Sequence, residues 1–412
     1  MKKLKVGFIG MGNRGGLYHW FASDRSDVCE VSAIVDFKLD LQLSRIGKTS
    51  AKHLYTNTDD FFKDALPLDL LCISSMDKYH YQDALRALNL GYNILLEKPI
   101  SCKMEEVLHL ERVAEEKNLK VVVCHVLRYT LFYKKIKELI DGGTLGNIVN
   151  INCTENVAYW HQCHSYVRGN WHSTKETAPQ ILTKCSHDLD IIQWLMNKKV
   201  VKVQSFGDQF FFKKENKPSG SSTMCYNCPI NKECDFNAYK FYLKNRDWLI
   251  PFAGKDLTDE KIDEFLRNSD FGHCAFDMDN DTVDHQVVNI LFEDNTTSTL
   301  TMNAFSNDCY RDIKVYGTKG DLIGNFEDKI IKVNLFNGEK MTFDISKMTD
   351  DFSGHGGGDR IMFNEFIDYI LYGKKTPSLT LLTDSVISHK MAFLSEKSRL
   401  NGGMPLRLED EN

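Results

Sequence analysis

The sequence predicts an α/β chain: an N-terminal doubly wound parallel sheet, then a larger α+β unit whose open sheet is largely antiparallel. Three observations carry this. From Leu4 to about Cys124, apolar runs of strand length alternate with amphipathic segments of helix length. A glycine-rich turn, Gly10-Met11-Gly12-Asn13-Arg14-Gly15, follows the first run. Beyond Cys124 the runs alternate apolar with polar residues, and Asp294-Asn295 and Asn337-Gly338 supply hairpin turns.

The first run, Leu4–Ile9, leads into G-x-G-x-x-G at Gly10, Gly12 and Gly15. The first glycine permits a tight turn, the second lets backbone approach a pyrophosphate, and the third lets a helix pack on the strand. The helix start then offers unpaired N–H groups and a positive dipole end, with Asn13 and Arg14 beside them. Asp36 ends the next run at the distance where an acid holds a ribose. A carboxylate there accepts from both ribose hydroxyls and repels a 2′-phosphate, which favours NAD over NADP, although Lys38 is close by. Further strands are expected at Leu68–Ser74, Tyr92–Leu96 and Lys120–Cys124, with helices at Tyr79–Leu90 and Lys103–Lys117. Ligands of such sheets bind at the carboxyl ends of the strands. Ser74, Ser75 and His80 follow one strand and Glu97-Lys98-Pro99 the next, so Ser74, Ser75, His80, Glu97 and Lys98 join the cofactor set with His125.

At 412 residues the chain divides into a dinucleotide-binding Rossmann domain, 1–125, and a substrate and oligomerisation domain, 126–412. The second is expected to hold helices at Leu131–Ile140, Ser186–Met196, Arg360–Tyr372 and Leu382–Leu400. Its strands are expected near Ile148 and at Val200–Phe212, Thr282–Phe292, Thr296–Ala304, Asp312–Tyr316, Lys329–Leu335 and Lys340–Ile345. The stretch from about 213 to 281 is polar and poorly periodic and reads as an insertion. Composition, 42% hydrophobic and 26% charged, is that of a globular protein. The net charge of −6 argues against nucleic-acid or anionic-membrane partners. No apolar run reaches membrane-span length, and the Met1-Lys2-Lys3-Leu4 start carries no recognisable secretion signal. Twelve cysteines then read as reduced thiols of a cytoplasmic protein.

With Gly10–Gly15, Glu97-Lys98-Pro99 and His187-Asp188 together, the chain resembles the Gfo/Idh/MocA family of nicotinamide-dependent oxidoreductases over nearly its whole length. The resemblance implies an N-terminal cofactor domain, a C-terminal sheet domain, carbohydrate or polyol substrates, and a homodimer or homotetramer packed through the open sheet. It also implies that Lys98 holds and polarises a substrate hydroxyl, that Pro99 is a cis-proline candidate, and that His187 is the acid/base. The family's common pattern has an aspartate four residues before that histidine. Thr183 stands there instead, so Lys184, three residues before His187, is read as taking part of the polar work.

Tyr159, Tyr166, Arg168 and Trp171 belong to a stretch dense in aromatics and donors, which suits a sugar ring, and Arg128 lies just past the last parallel strand. These five form the expected substrate set. Cys225-x-x-Cys228-x5-Cys234, with Cys274 as a fourth thiol, has metal-ligand spacing. A structural zinc fits tetrahedral thiolates, an iron–sulfur cluster fits the ligand type, and three unligated thiols are the bland alternative. The leading expectation is an NAD-dependent dehydrogenase of a sugar, sugar acid or cyclic polyol. A redox-neutral glycoside-cleaving enzyme with tightly held NAD and a non-catalytic NAD sensor are the competing classes.

Overall fold

The structure, a computed structural model, describes residues 3–410. Met1 and Lys2, at the start of the segment read for a secretion signal, lie outside the described residues. Two compact units are present. One comprises residues 3–124, 245–259 and 360–386, and the other residues 125–244, 260–359 and 387–410.

The first unit carries β1 (Leu4–Ile9), α1 (Asn13–Asp24), β2 (Cys29–Val35), α2 (Leu39–Ile46), β3 (His53–Tyr55), α3 (Thr58–Asp64), β4 (Leu70–Ile73), α4 (His80–Asn89), β5 (Asn93–Leu96), α5 (Met104–Glu116) and β6 (Val121–Val123). The six strands are parallel in the order β3-β2-β1-β4-β5-β6. Leu70, Leu71, Cys72 and Ile73 are all buried, because a parallel sheet covered on both faces has no solvent side on which to alternate. Beyond β6, Thr380 exchanges hydrogen bonds with Val123: its carbonyl accepts from the Val123 N–H at 2.9 Å and its hydroxyl donates to the Val123 carbonyl at 2.5 Å.

The second unit contains α6 (Leu131–Asp141), β7 (Ile148–Asn156), α7 (Tyr159–Gln162), α8 (Gln180–Thr183), α9 (Ser186–Met196) and β8 (Val200–Asp208). An insertion follows, with short helices α10 (Ala238–Tyr242), α11 (Ile250–Ala253) and α12 (Asp259–Arg267), of which α11 lies in the stretch 245–259 that belongs to the first unit. Then come β9 (His285–Phe292), β10 (Thr297–Asn303), β11 (Tyr310–Gly317), β12 (Gly320–Asn325), β13 (Ile330–Leu335), β14 (Lys340–Asp344) and β15 (Leu406–Arg407). The nine strands run β14-β13-β12-β11-β7-β10-β9-β8-β15, antiparallel except for the parallel pair β7 and β10. Burial alternates along β9, β10 and β12, as a sheet with one covered face requires. Helices Gly358–Tyr372 and Leu382–Leu400 follow in the C-terminal part of the chain, where residues 360–386 belong to the first unit. The fold is the α/β class read from the sequence. Among the described residues no helix is long and apolar enough to cross a membrane.

Candidate active site

The glycine turn joins β1 to α1. Gly10 sits at φ +80°, and a Cβ there would lie 2.5 Å from the Ser74 carbonyl oxygen. A Cβ on Gly15 would lie 1.8 Å from the Gly10 carbonyl oxygen, so this glycine is dictated by helix–strand packing. At Gly12 a Cβ would meet no protein atom within 4 Å. What Gly12 keeps clear is therefore space outside the chain, at the start of α1. That helix begins without a side-chain cap or an acid in its first turn, which leaves its N–H groups and dipole to an anion.

Asp36, buried at the end of β2, accepts the Met11 N–H at 2.6 Å and the Lys38 N–H at 2.7 Å. Arg45 donates to the Asn13 side chain at 3.0 Å and the Met11 carbonyl at 3.2 Å, tying the turn to α2. Glu97 at the end of β5 takes the Arg14 Nε–H at 2.5 Å and the Tyr18 hydroxyl at 2.6 Å. Burial alone raises the Glu97 carboxyl, but Arg14, Tyr18 and Lys98 outweigh it and hold the group below the usual carboxylate range. Lys98 follows directly, its peptide bond to Pro99 is cis, and its N–H donates to Glu97 at 3.2 Å. His80 links two strand-end turns, with Nδ1 2.7 Å from the Pro99 carbonyl oxygen and Nε2 2.9 Å from that of Ser75. The Ser74 hydroxyl donates to the Gly10 carbonyl at 2.8 Å and that of Ser75 to Asp83 at 2.9 Å.

The expected cofactor residues of this unit thus gather at the carboxyl ends of β1, β2, β4 and β5. Several spend their side chains on each other: Arg14, Ser74, Ser75, His80 and Glu97 brace the turns. Tyr18, Arg45 and Asp83 were missed. Tyr18 had a signal, four residues after Arg14 on one helix face. Nothing local marked the other two.

In the second unit His187 lies in the first turn of α9, buried, with its ring 5.6 Å from that of His125 and 5.8 Å from that of His355. Below it is a buried charge network. Lys184 Nζ is 3.2 Å from Glu155, and Arg311 reaches Glu155 at 2.7 Å and Asp188 at 2.9 Å. Burial pushes the Asp188 carboxyl up to about 6, against the pull of Arg311. Glu155 is also raised by burial, but Arg311 and Lys184 prevail and its carboxyl ends below the usual range. Two cations so balance two carboxylates. Thr183 itself turns its hydroxyl toward the Pro179 carbonyl, at 3.4 Å.

The family model described as an oxidoreductase NAD-binding Rossmann fold matches residues 4–125, and that of the C-terminal alpha/beta domain of the same family matches residues 137–402. The chain belongs to the Gfo/Idh/MocA oxidoreductase family. Among the relatives of this family member, the oxidoreductase YteT of Bacillus subtilis (strain 168) is 19% identical over 339 residues, 76% of each chain. The solved scyllo-inositol dehydrogenase of Lactobacillus casei, with NAD(H) and scyllo-inositol bound, superposes with a TM-score of 0.66 at 18% identity, over 99% of this chain and 100% of that one. A levoglucosan dehydrogenase in complex with NADH and L-sorbose gives 0.73 at 15% identity, over 99% of both chains. At these identities the structural likeness shows the fold.

Three expectations for this Gfo/Idh/MocA chain are revised by the geometry. Arg128 is buried with its guanidinium against Asp190, where it secures α9 and does not line a wall with the aromatic stretch. Arg168 turns into the insertion, donating to the carbonyls of His273 at 2.7 Å and Phe236 at 2.6 Å. Tyr159 packs edge-on to Phe236, while buried Tyr166 sits 6.3 Å from Trp171, ring to ring. Zinc at Cys225, Cys228, Cys234 and Cys274 is not supported. Among the described residues no three His, Cys, Asp or Glu side chains converge as one metal ion requires.

Proposed function

We propose that this protein is an NAD-dependent dehydrogenase of a sugar, sugar acid or cyclic polyol. The observation that carries the cofactor half is the open space over Gly12 beside an uncapped helix start, with Asp36 fixed by two backbone donors at the end of β2. The turn suits a pyrophosphate, and the carboxylate suits the ribose hydroxyls of NAD better than a 2′-phosphate. When bound, NAD supplies the hydride acceptor.

Lys98 is assigned to hold the reacting hydroxyl. An ammonium at a strand end stabilises oxyanion character. His187 is assigned to take the hydroxyl proton, since imidazole accepts protons near neutral pH. Lys184 is assigned to orient the substrate oxygen, its charge balanced by Glu155. The polyol and sugar class is supported by the names of the relatives, scyllo-inositol dehydrogenase and levoglucosan dehydrogenase. We place the protein in the cytoplasm as a homodimer or homotetramer. Phe206, Tyr316 and Ile323 support assembly, since they leave apolar side chains exposed on the open sheet.

The test is NADH formation by the purified protein with NAD against inositols, sugars, sugar acids and aryl glycosides. NADH from one compound, abolished in Lys98→Met and His187→Asn, is the expected result. Aryl-group release without net NADH would replace this reading with redox-neutral cleavage. NAD binding with no turnover of any compound would leave a sensor as the better account.

A further inference from the structure

The insertion contains a feature that hydride transfer does not use. Cys225, Cys228, Cys234 and Cys274, with Arg168 and Phe236, line a cavity of about 20 Å³, counted as space open to the centre of a water molecule. That exceeds the roughly 10–15 Å³ needed to admit a water-sized body. The chain takes trouble to close this ring. Cys274 is far from the other three in sequence, yet an isolated antiparallel bridge joins Met224 to His273, and the Cys274 N–H donates to the Thr223 carbonyl at 2.8 Å.

Two of the four sulfurs face backbone donors. Cys234 accepts the backbone N–H of Phe236, and Cys274 that of Phe276, each donor two residues beyond its cysteine. Arg168 is 4% exposed, and among the described residues its guanidinium pairs with no carboxylate. It is bound to two carbonyl oxygens and lies 3.9 Å from the Cys225 sulfur. A buried cation without an anion is costly, so its counter-charge must come from the cavity side.

The size of the occupant follows from the spacing. A single zinc draws four sulfurs to about 2.3 Å from one centre, which leaves no room for a water between them. Here the thiols stand around a space instead of converging. We propose that Cys225, Cys228, Cys234 and Cys274 bind an iron–sulfur cluster that fills this cavity, with Arg168 as its buried counter-charge. Each thiol gives up its proton to solvent as its sulfur ligates iron. The cluster cross-links two distant parts of an insertion that contributes only Ala275 and Phe276 to the buried apolar set it shares with Cys163, Val167 and Phe212. The site is independent of the dehydrogenase reading.

The experiment uses the full-length chain, purified without oxygen and reconstituted with ferrous iron, ferric iron and sulfide, the ferric salt supplying the oxidised irons of the cluster. Iron, acid-labile sulfide and zinc are then counted per chain, and the visible spectrum is recorded. Iron and sulfide in comparable amounts with broad visible absorption, lost in Cys228→Ala and kept in Cys102→Ala, is the expected result. One zinc per chain without sulfide would overturn the proposal. So would a metal-free wild type whose four thiols remain free or pair as disulfides. Because Cys228→Ala can fail to fold, the wild-type metal and sulfide counts decide alone in that case.

Discussion

Arg128 and Asp190 meet as a two-pronged pair, with Nε and Nη2 of the guanidinium each 2.6 Å from a carboxylate oxygen. Both are almost wholly buried, and the guanidinium also lies 5.7 Å from the centre of the Trp194 ring. Removing one partner strands the other charge in low dielectric. Asp190→Asn should therefore destabilise the protein by about 3–5 kcal/mol. The double change Arg128→Met, Asp190→Leu should recover most of that loss in denaturant unfolding.

The glycine turn separates binding from folding. Gly12→Ala places its Cβ in open space and should leave thermal stability nearly unchanged, while NAD affinity drops about tenfold or more, or ~1.4 kcal/mol. Gly15→Ala drives a Cβ into the Gly10 carbonyl and should cost about 3 kcal/mol or more of stability. Equal loss of stability in both variants would contradict the assignment of Gly12 to the ligand.

His164 donates or accepts across 2.7 Å to the Tyr242 hydroxyl, and burial, aided by Arg168, pulls its pKa down to about 4. The unfolded chain keeps the ordinary value near 6.5 and so binds more protons between the two. Stability is then complete above about pH 6.5 and falls as pH drops toward about 4, by ~3 kcal/mol at most. Melting temperatures at pH 7.5 and 5 should differ more in the wild type than in His164→Phe.

Asp83 runs the other way. Burial raises its carboxyl to about 6, although the Ser75 hydroxyl favours the charged form. The folded state then holds its proton more tightly than the unfolded chain, so this group's contribution falls as pH rises from about 4 to about 6. Asp83→Asn keeps an acceptor for Ser75 and removes the charge. It should stabilise the protein by about 1–3 kcal/mol at pH 7 and by little below pH 4. Urea midpoints at the two pH values check this.

How far the molecule could be read from its residues depended on how local each signal was. The strand at Leu4–Ile9 and the helices Ser186–Met196 and Leu382–Leu400 coincide with the observed elements, because each carries its own apolar pattern and end signals. Three strands escaped notice, the third being the two-residue Leu406–Arg407. His53–Tyr55 is short and mostly exposed, and Gly320–Asn325 is broken by glycines and polar residues. The parallel pairing of β7 with β10 has no local signature either. Another long-range pairing, that of β7 with β11, explains why the charge network was only half legible. Lys184 and His187 are neighbours in sequence, but Glu155 and Arg311 meet only because β7 and β11 pair them directly across the sheet. Arg168 was misread for a similar reason: its partners, Phe236 and His273, come from the far side of a long insertion.

The contact between Val123 and Thr380 bears on how the chain is made. Until residue 380 has left the ribosome, β6 presents a bare row of backbone donors and acceptors to its surroundings. Such an edge recruits other strands, so a fragment ending near Cys124 is expected to aggregate, where a longer one reaching past Leu381 stays in solution. The nascent protein spends about two thirds of its synthesis (residues 124 to 380) with that edge uncovered. A segment made almost last is thus what ends the vulnerability of the part made first.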